Sequence, residues 1–362
     1  MTKLAGFEFT KYIKYNNSGE IIALRALNLR QGELDLTDIK RIDKSVSELL
    51  PRSKLYSGDI LLTYTGNGYG DCALISENDR YHLAPNICKI TPDIQKIDSY
   101  FLYSYIRSKA FYQQMSNHMV GSSQPTIPMR AIRELKVPFP SLEKQKKIKV
   151  ILSTLDGKIR INHAINDNLE EQSKVIFDKL FPNISNGSYT IGNYITPKRG
   201  KNLLSKNAVQ GNVPVVAGGL VPSVYHNTSN TKAPVLAISA SGANAGYVSL
   251  WNIPIWASDS SYIDSSMTNN VYFWYVLLKE RQKEIFDAQT GSAQPHIYPQ
   301  HIAGMPIKEL EVAKIQEFNA MVTPIFEKIG KNLKENTQLE TLRDILLPKL
   351  MSGEIDISAV QF

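Results

Sequence analysis

One seven-residue string occurs twice in this chain of 362 residues, and it constrains the fold more than any other feature. Gly121-Ser122-Ser123-Gln124-Pro125-Thr126-Ile127 returns as Gly291-Ser292-Ala293-Gln294-Pro295-His296-Ile297, identical at five of seven positions and offset by 170. The offset persists downstream. Ile132 matches Ile302, Lys158-Ile159 matches Lys328-Ile329, Asn162 matches Asn332, Leu169-Glu170 matches Leu339-Glu340, and Lys179-Leu180 matches Lys349-Leu350. Upstream the likeness loosens, with Asp59–Gly66 resembling Pro234–Gly242. Two copies of this length are too few and too long for a solenoid. The pattern reads as a constant frame carrying a variable head, repeated.

The frame is helical. Residues 142–181 place Ile148, Leu152, Leu155, Ile159, Asn162, Asn166, Leu169, Ser173, Ile176 and Leu180 at alternating steps of four and three, a heptad seam. The second copy gives Phe318, Val322, Ile325, Ile329, Asn332, Asn336, Leu339, Arg343, Leu346 and Leu350. Pro182 ends the first helix, and Pro324 is expected to kink or break the second. A narrow apolar seam needs a partner, and the other copy supplies one. Antiparallel pairing, centre to centre, sets Asn162 against Asn336 and Asn166 against Asn332, a polar layer that would lock register. The alternative is that these Asn are solvated and each helix packs on its own head. At ~1.5 Å per residue, roughly 36 residues reach about 54 Å. That is one to two turns of a duplex whose turn is ~34 Å.

The heads, residues 1–140 and 183–310, hold short β-like runs broken by turns. Ile21–Leu24, Asp59–Tyr64, Ala73–Ile75 and Ile87–Ile90 are expected strands in the first. Val213–Val216, Val235–Ser239, Gly246–Leu250 and Ile253–Ala257 are expected in the second. Each also has a helical stretch, Ser99–Met119 and Asn269–Ala288. The fold class is therefore α+β: two domains with irregular, mostly antiparallel sheets, joined by two long helices forming an antiparallel coiled coil. The boundaries are 1–140 (first head), 141–182 (first long helix), 183–310 (second head), 311–352 (second long helix) and 353–362 (tail).

Composition narrows the function. Lys and Arg number 41 against 34 Asp and Glu, a mild excess of +7 that leaves nucleic acid open. The longest dense apolar stretch, Val271–Leu278, is far short of the ~18 residues of a membrane span. No signal-peptide core follows Met1. Two Cys, Cys72 and Cys88, build no disulfide framework and point to a reducing cytoplasm. Catalytic marks are missing. Gly66-Asn67-Gly68-Tyr69-Gly70 lacks dinucleotide-loop spacing, and Gly200-Lys201 is followed by Asn202 rather than Ser or Thr. No Asn/Asp-Pro-Pro-aromatic string is present, and the six His and two Cys show no metal-ligand spacing.

Polar loops are the places where bases could be read. In the first head these are Arg25, Asn28, Arg30 and the turn holding Thr65, Asn67 and Tyr69, with Gln124 at the shared string. In the second they are Lys198, Arg199, Lys201, Asn202, Ser241 and Asn244, with Gln294 at the shared string. Arg and Lys suit guanine edges or phosphates, Asn and Gln suit adenine, and Gly-rich turns let backbone approach a groove.

Two strings then carry a resemblance over essentially the whole chain. Gly121–Ile148, with Ser141-Leu142-Glu143-Lys144-Gln145-Lys146-Lys147-Ile148, is the first. Leu339–Ile357, with Leu346-Leu347-Pro348-Lys349-Leu350-Met351-Ser352-Gly353-Glu354-Ile355, is the second. Both resemble the specificity subunit of type I restriction–modification systems. The resemblance implies two target-recognition domains, each reading half of a split, asymmetric DNA site. It implies helices that set the spacing and dock two methyltransferase subunits, which bind S-adenosylmethionine, flip an adenine and methylate its N6. Motor-nuclease subunits using ATP and Mg²⁺ would join. The chain itself would be non-catalytic, without a cofactor or metal of its own. The first copy has only Met1–Ala5 before Gly6, where the second has Ser188–Lys198 before Arg199-Gly200, so the opening strand of the first head is expected to be absent, the alternatives being a truncated, recombined or misannotated start, with complementation by a partner as one outcome. The rival reading is a duplicated coiled-coil adaptor that binds proteins. A self-contained nuclease or methyltransferase is disfavoured by the missing motifs.

Overall fold

The computed structural model describes residues 1–30, 32–66, 68–121, 124–291 and 294–357. The chain divides into two units, Met1–Ile159 with Gln338–Phe362, and Arg160–Thr337. Both long helices, Leu142–Leu180 and Val312–Ser352, contribute one part to each unit.

In the first unit a four-stranded antiparallel sheet runs in the order Thr2–Lys3, Ile87–Ile90, Ile60–Thr63, Cys72–Leu74. Its central strand, Ile60-Leu61-Leu62-Thr63, is buried throughout because both of its faces are covered. The two-residue strand period divides the side chains. Ile60 and Leu62 join Cys72, Cys88, Leu102 and Phe111 on one face. Leu61 joins Leu24, Ala73, Leu83 and Ile87 on the other. A three-stranded sheet, Lys40–Ile42, Ile21–Leu24, Tyr81–Leu83, adds a parallel pairing, so the sheets are mixed rather than wholly antiparallel. The helical stretch splits into Ser99–Ile106 and Lys109–Ser116. Asp98 caps the first through Tyr100 N and Phe101 N, and Ser108 starts the second by accepting from Phe111 N.

The second unit repeats the order. Its sheet runs Lys198–Arg199, Ser260–Asp264, Val235–Ser239, Val248–Trp251, and a three-stranded sheet again holds one parallel pair, Val213–Val216 with Trp256–Ala257. Helices Val271–Glu280 and Gln282–Asp287 follow. Thr2–Lys3 pairs with Ile87–Ile90 as Lys198–Arg199 pairs with Ser260–Asp264. An edge strand is thus present at this place in both units. The segment expected to lack an equivalent in the first copy, Ser188–Lys198, holds a further strand, Tyr189–Thr190. What has no counterpart among the described residues of the first unit is the pairing of Tyr189–Thr190 with Pro306–Ile307.

Val312–Ser352 is continuous through Pro324, against the expected break. A proline removes one ladder donor, and burial of Val322, Phe326 and Ile329 on either side holds the helix together. In the first unit Ile148 and Leu152 pack with Leu347, Leu350 and Phe101. In the second, Phe177, Phe181 and Phe318 gather on Phe273, and Phe326 packs on Tyr272 and Tyr275 in the same core. Phe101 and Phe273 stand at matching places on the head helices, and each is fully buried. Burial of one such ring contributes about 1.5–3 kcal/mol.

Candidate nucleic-acid interface

Each head builds the same composite loop. In the first unit Gly66 N donates to Pro125 O at 2.8 Å, and Ile127 N donates to Tyr64 O at 2.9 Å. In the second, Gly242 N donates to Pro295 O at 3.0 Å, and Ile297 N donates to Ala240 O at 2.9 Å. The Gly-rich turn is therefore fastened to the shared Gly-Ser-x-Gln-Pro string in both. The turns match internally as well. Tyr69 N donates to Gly66 O and Gly70 N to Thr63 O, as Ala245 N donates to Gly242 O and Gly246 N to Ser239 O. Gly66 and Gly242 have φ of +87° and +82°, a backbone state that favours glycine. Nothing lies within 4 Å of where a Cβ at Gly66 or Gly242 would stand.

The structure distributes the candidate residues unevenly. Thr65 bridges to Thr126 and Ser241 to His296, so both lie inside the composite loops. Gln124 and Gln294 are exposed beside them. Asn67 lies outside the described residues. Tyr69 stacks on Tyr112 with ring centroids 5.3 Å apart and accepts the Tyr112 hydroxyl proton at 2.7 Å. That hydrogen bond first, and burial second, push the Tyr112 hydroxyl up to about 12. Beside this pair is a cleft of about 400 Å³ lined by Asp71, Arg107, Glu340 and Arg343. Burial raises the Asp71 carboxyl, with Arg30 opposing. Arg30 is exposed and 3.5 Å from Asp35.

Arg25 and Asn28 serve the fold. Asn28 is fully buried. Its amide donates to the Asp35 and Asp38 carbonyls at 2.8 Å each, and its Oδ1 accepts from Arg25 N at 3.0 Å. Arg25 pairs with Asp38 at 3.1 Å. In the second head Lys198, Lys201 and Asn202 are exposed. Arg199 and the Ser241 hydroxyl both donate to Asp259, which ties the 198–202 strand and loop to the 241–246 turn. Asn244 donates to Gly218 O at 3.2 Å. Asp259 was missed by sequence reasoning, because a single carboxylate in Ser258-Asp259-Ser260 carries no spacing signal.

The helix residues come together. Asn162 Nδ2 donates to Asn336 Oδ1 at 2.8 Å, and Asn332 Nδ2 donates to Asn166 Oδ1 at 2.8 Å, all four buried. Within this unit one number rises as the other falls, so the helices pass in opposite directions.

The head-to-helix joint was not anticipated. In the first unit buried Asp156 accepts from Tyr100, from Arg107 at 3.1 Å and from Arg343 at 2.9 Å. Burial works against its charge, but Arg107, Tyr100 and Arg343 outweigh it and hold the carboxyl below the usual carboxylate range. At the matching place in the second unit, Phe326 stacks on Tyr272 at 4.8 Å. Nearby, burial raises the Glu170 carboxyl and lowers the Lys279 ammonium, each opposing the other's shift. Among the described residues no group of His, Cys, Asp and Glu could hold a metal ion, and no helix is long and apolar enough to cross a membrane.

The family described as the type I restriction modification DNA specificity domain matches residues 6–171. The MjaIX type I specificity subunit of Methanocaldococcus jannaschii is 27% identical over 300 residues, covering 72% of this chain and 69% of that protein. A putative type I specificity subunit of Mycoplasma pneumoniae, S.MpnORF638P, is 24% identical over 307 residues, covering 78% of this chain and 80% of its own. The crystal structure of a type I restriction–modification S subunit from M. genitalium shares the fold, with a TM-score of 0.50, 19% identity and 93% of each chain covered.

Proposed function

We propose that the chain is a type I restriction–modification specificity subunit, as its similarity to that family over residues 6–171 supports, and that each of its heads reads one half of a bipartite, asymmetric DNA site. The chain is the DNA-recognition subunit of such a system and is not itself a catalyst. The observation that supports two reading heads is the duplicated composite loop, built by the same backbone hydrogen bonds around turns whose side chains have diverged. A constant scaffold with variable tips is what two readers of different half-sites require. Lys198, Lys201 and Arg30 suit phosphates, and the Asn244 and Tyr69 turns suit a groove edge.

The partners are DNA and the other subunits of the system. In the finer reading the two long helices form an antiparallel coiled coil, set the spacing of the half-sites and dock two methyltransferase subunits. The Asn162–Asn336 and Asn166–Asn332 hydrogen bonds support a register lock in that pair. S-adenosylmethionine, ATP and Mg²⁺ then belong to the methyltransferase and motor-nuclease subunits, and the complex works in the cytoplasm.

Salt titration of duplex binding by the chain assembled with methyltransferase subunits tests this. A reader that neutralises several phosphates loses affinity by orders of magnitude between about 50 and 200 mM salt. Absence of duplex binding, or binding indifferent to salt, would overturn the reading.

A further inference from the structure

The shared string holds its five identical residues for different reasons, and one of them is not explained by the fold. Gly121 and Gly291 have φ of +89° and +93°, and a Cβ there would stand 3.2 and 2.6 Å from the carbonyl oxygens of Gln124 and Gln294. Pro125 and Pro295 present the carbonyls that receive Gly66 N and Gly242 N. Ile127 and Ile297 are buried at 0% and 2% exposure and anchor the loop in the core. The Gly and Ile are required by backbone geometry and packing, and the two Pro are half-buried where the string meets the Gly-rich turn. The Ser at 122 and 292 lies outside the described residues.

Gln124 and Gln294 differ from the rest. Both side chains are exposed, and neither makes a hydrogen bond to any described residue. Nothing among the described residues selects glutamine over another polar residue. Neighbouring exposed or half-exposed positions have drifted between the copies. Thr126 faces His296 in the comparison, Pro128 faces Tyr298, and Arg130 faces Gln300. An exposed side chain retained in both copies amid drifting neighbours meets the same thing outside the protein in both.

Resting on the recognition reading above, we propose that Gln124 and Gln294 are equivalent anchors on the DNA sugar–phosphate backbone. Half-sites of different sequence share their backbone and not their base edges. A carboxamide N–H₂ donates well to a phosphate oxygen, and such contacts fix register without carrying sequence information. The fastening of each string to its Gly-rich turn places the anchor beside the loop that reads, so the anchor would set how that loop enters the groove. Gln124 and Gln294 would then be positioning residues for recognition.

The test uses the chain assembled with its methyltransferase subunits, carrying Gln124→Ala, Gln294→Ala, both together, or Gln124→Glu. Affinity is measured for a duplex holding the site and for one lacking it, and the methylated sequence is read by single-molecule sequencing. Each Ala variant should weaken both duplexes by the same factor, about tenfold for a hydrogen bond to a charged group. The double variant should multiply the losses, and Gln124→Glu should lose more, because a carboxylate faces phosphate. The methylated sequence should stay unchanged. Relaxed choice of a base at any position, unchanged affinity for both duplexes, or tighter binding by the Glu variant would overturn the proposal. A wild-type complex that binds neither duplex would instead remove the recognition reading itself.

Discussion

Asn162 and Asn336, buried on opposing helices of the second unit, share a 2.8 Å hydrogen bond, yet the Asn336 amide nitrogen finds no partner among the described residues. The Asn332–Asn166 pair repeats this, leaving Asn166 Nδ2 without one. A buried polar group left unpaired costs about 1–3 kcal/mol, whereas removing both partners together can be neutral or stabilising. Asn162→Leu alone should therefore destabilise the unit by about 1–3 kcal/mol in urea unfolding. Asn162→Leu with Asn336→Leu should recover most of that loss. Disulfide trapping between cysteines placed along the two helices should then show more than one register, where the wild type shows one.

Asp156 is held between Arg107 and Arg343, and its absence would leave both guanidiniums without their shared carboxylate. Asp156→Asn should cost about 3–5 kcal/mol, read as faster hydrogen exchange in the Ser99–Ile106 helix. Its folded-state carboxyl titrates below the unfolded one. The stabilisation is therefore full above the unfolded carboxylate range, near about pH 4, and is lost as pH falls through the folded value. Wild-type protection of that helix should weaken in acid, and the Asn variant should lack this dependence. Phe326→Ala, at the matching joint, should cost about 3–5 kcal/mol without any such pH dependence.

Asn28 satisfies three backbone groups from a fully buried position. Asn28→Ala should lower the stability of the first unit by about 2–4 kcal/mol, because those groups lose their partner away from water. The sequence methylated by complexes that still assemble should not change. A changed sequence would return Asn28 to the reading surface.

The duplicated frame was legible because it is written in spacing. The heptad steps and the constant offset fixed which Asn would meet, and the strand runs Ile21–Leu24, Ile87–Ile90, Val213–Val216 and Val235–Ser239 coincide with the observed strands. The joint was not legible. Asp156 and Leu347 in the first unit, and Phe177 and Phe326 in the second, are buried outside the seam positions, and a two-position seam does not include them. The same offset that aligns the copies sets Asp156 against Phe326, a carboxylate against an aromatic ring. Such a mismatch gives no periodic signal and acquires meaning only when Tyr100, Arg107 and Tyr272 are seen beside it. Asn28 is buried, and Arg25 is tied to the same turn, for a similar reason. Their residue types suit DNA, but the turn folds them onto the carbonyls of residues 35 and 38.

Replacing residues 183–310 with the corresponding head of a type I specificity subunit, then mapping methylation across a genome by single-molecule sequencing, tests the two-reader account most directly. The account predicts that one half of the methylated site changes while the other half stays as it was. A site that changes in both halves, or in neither, would contradict it.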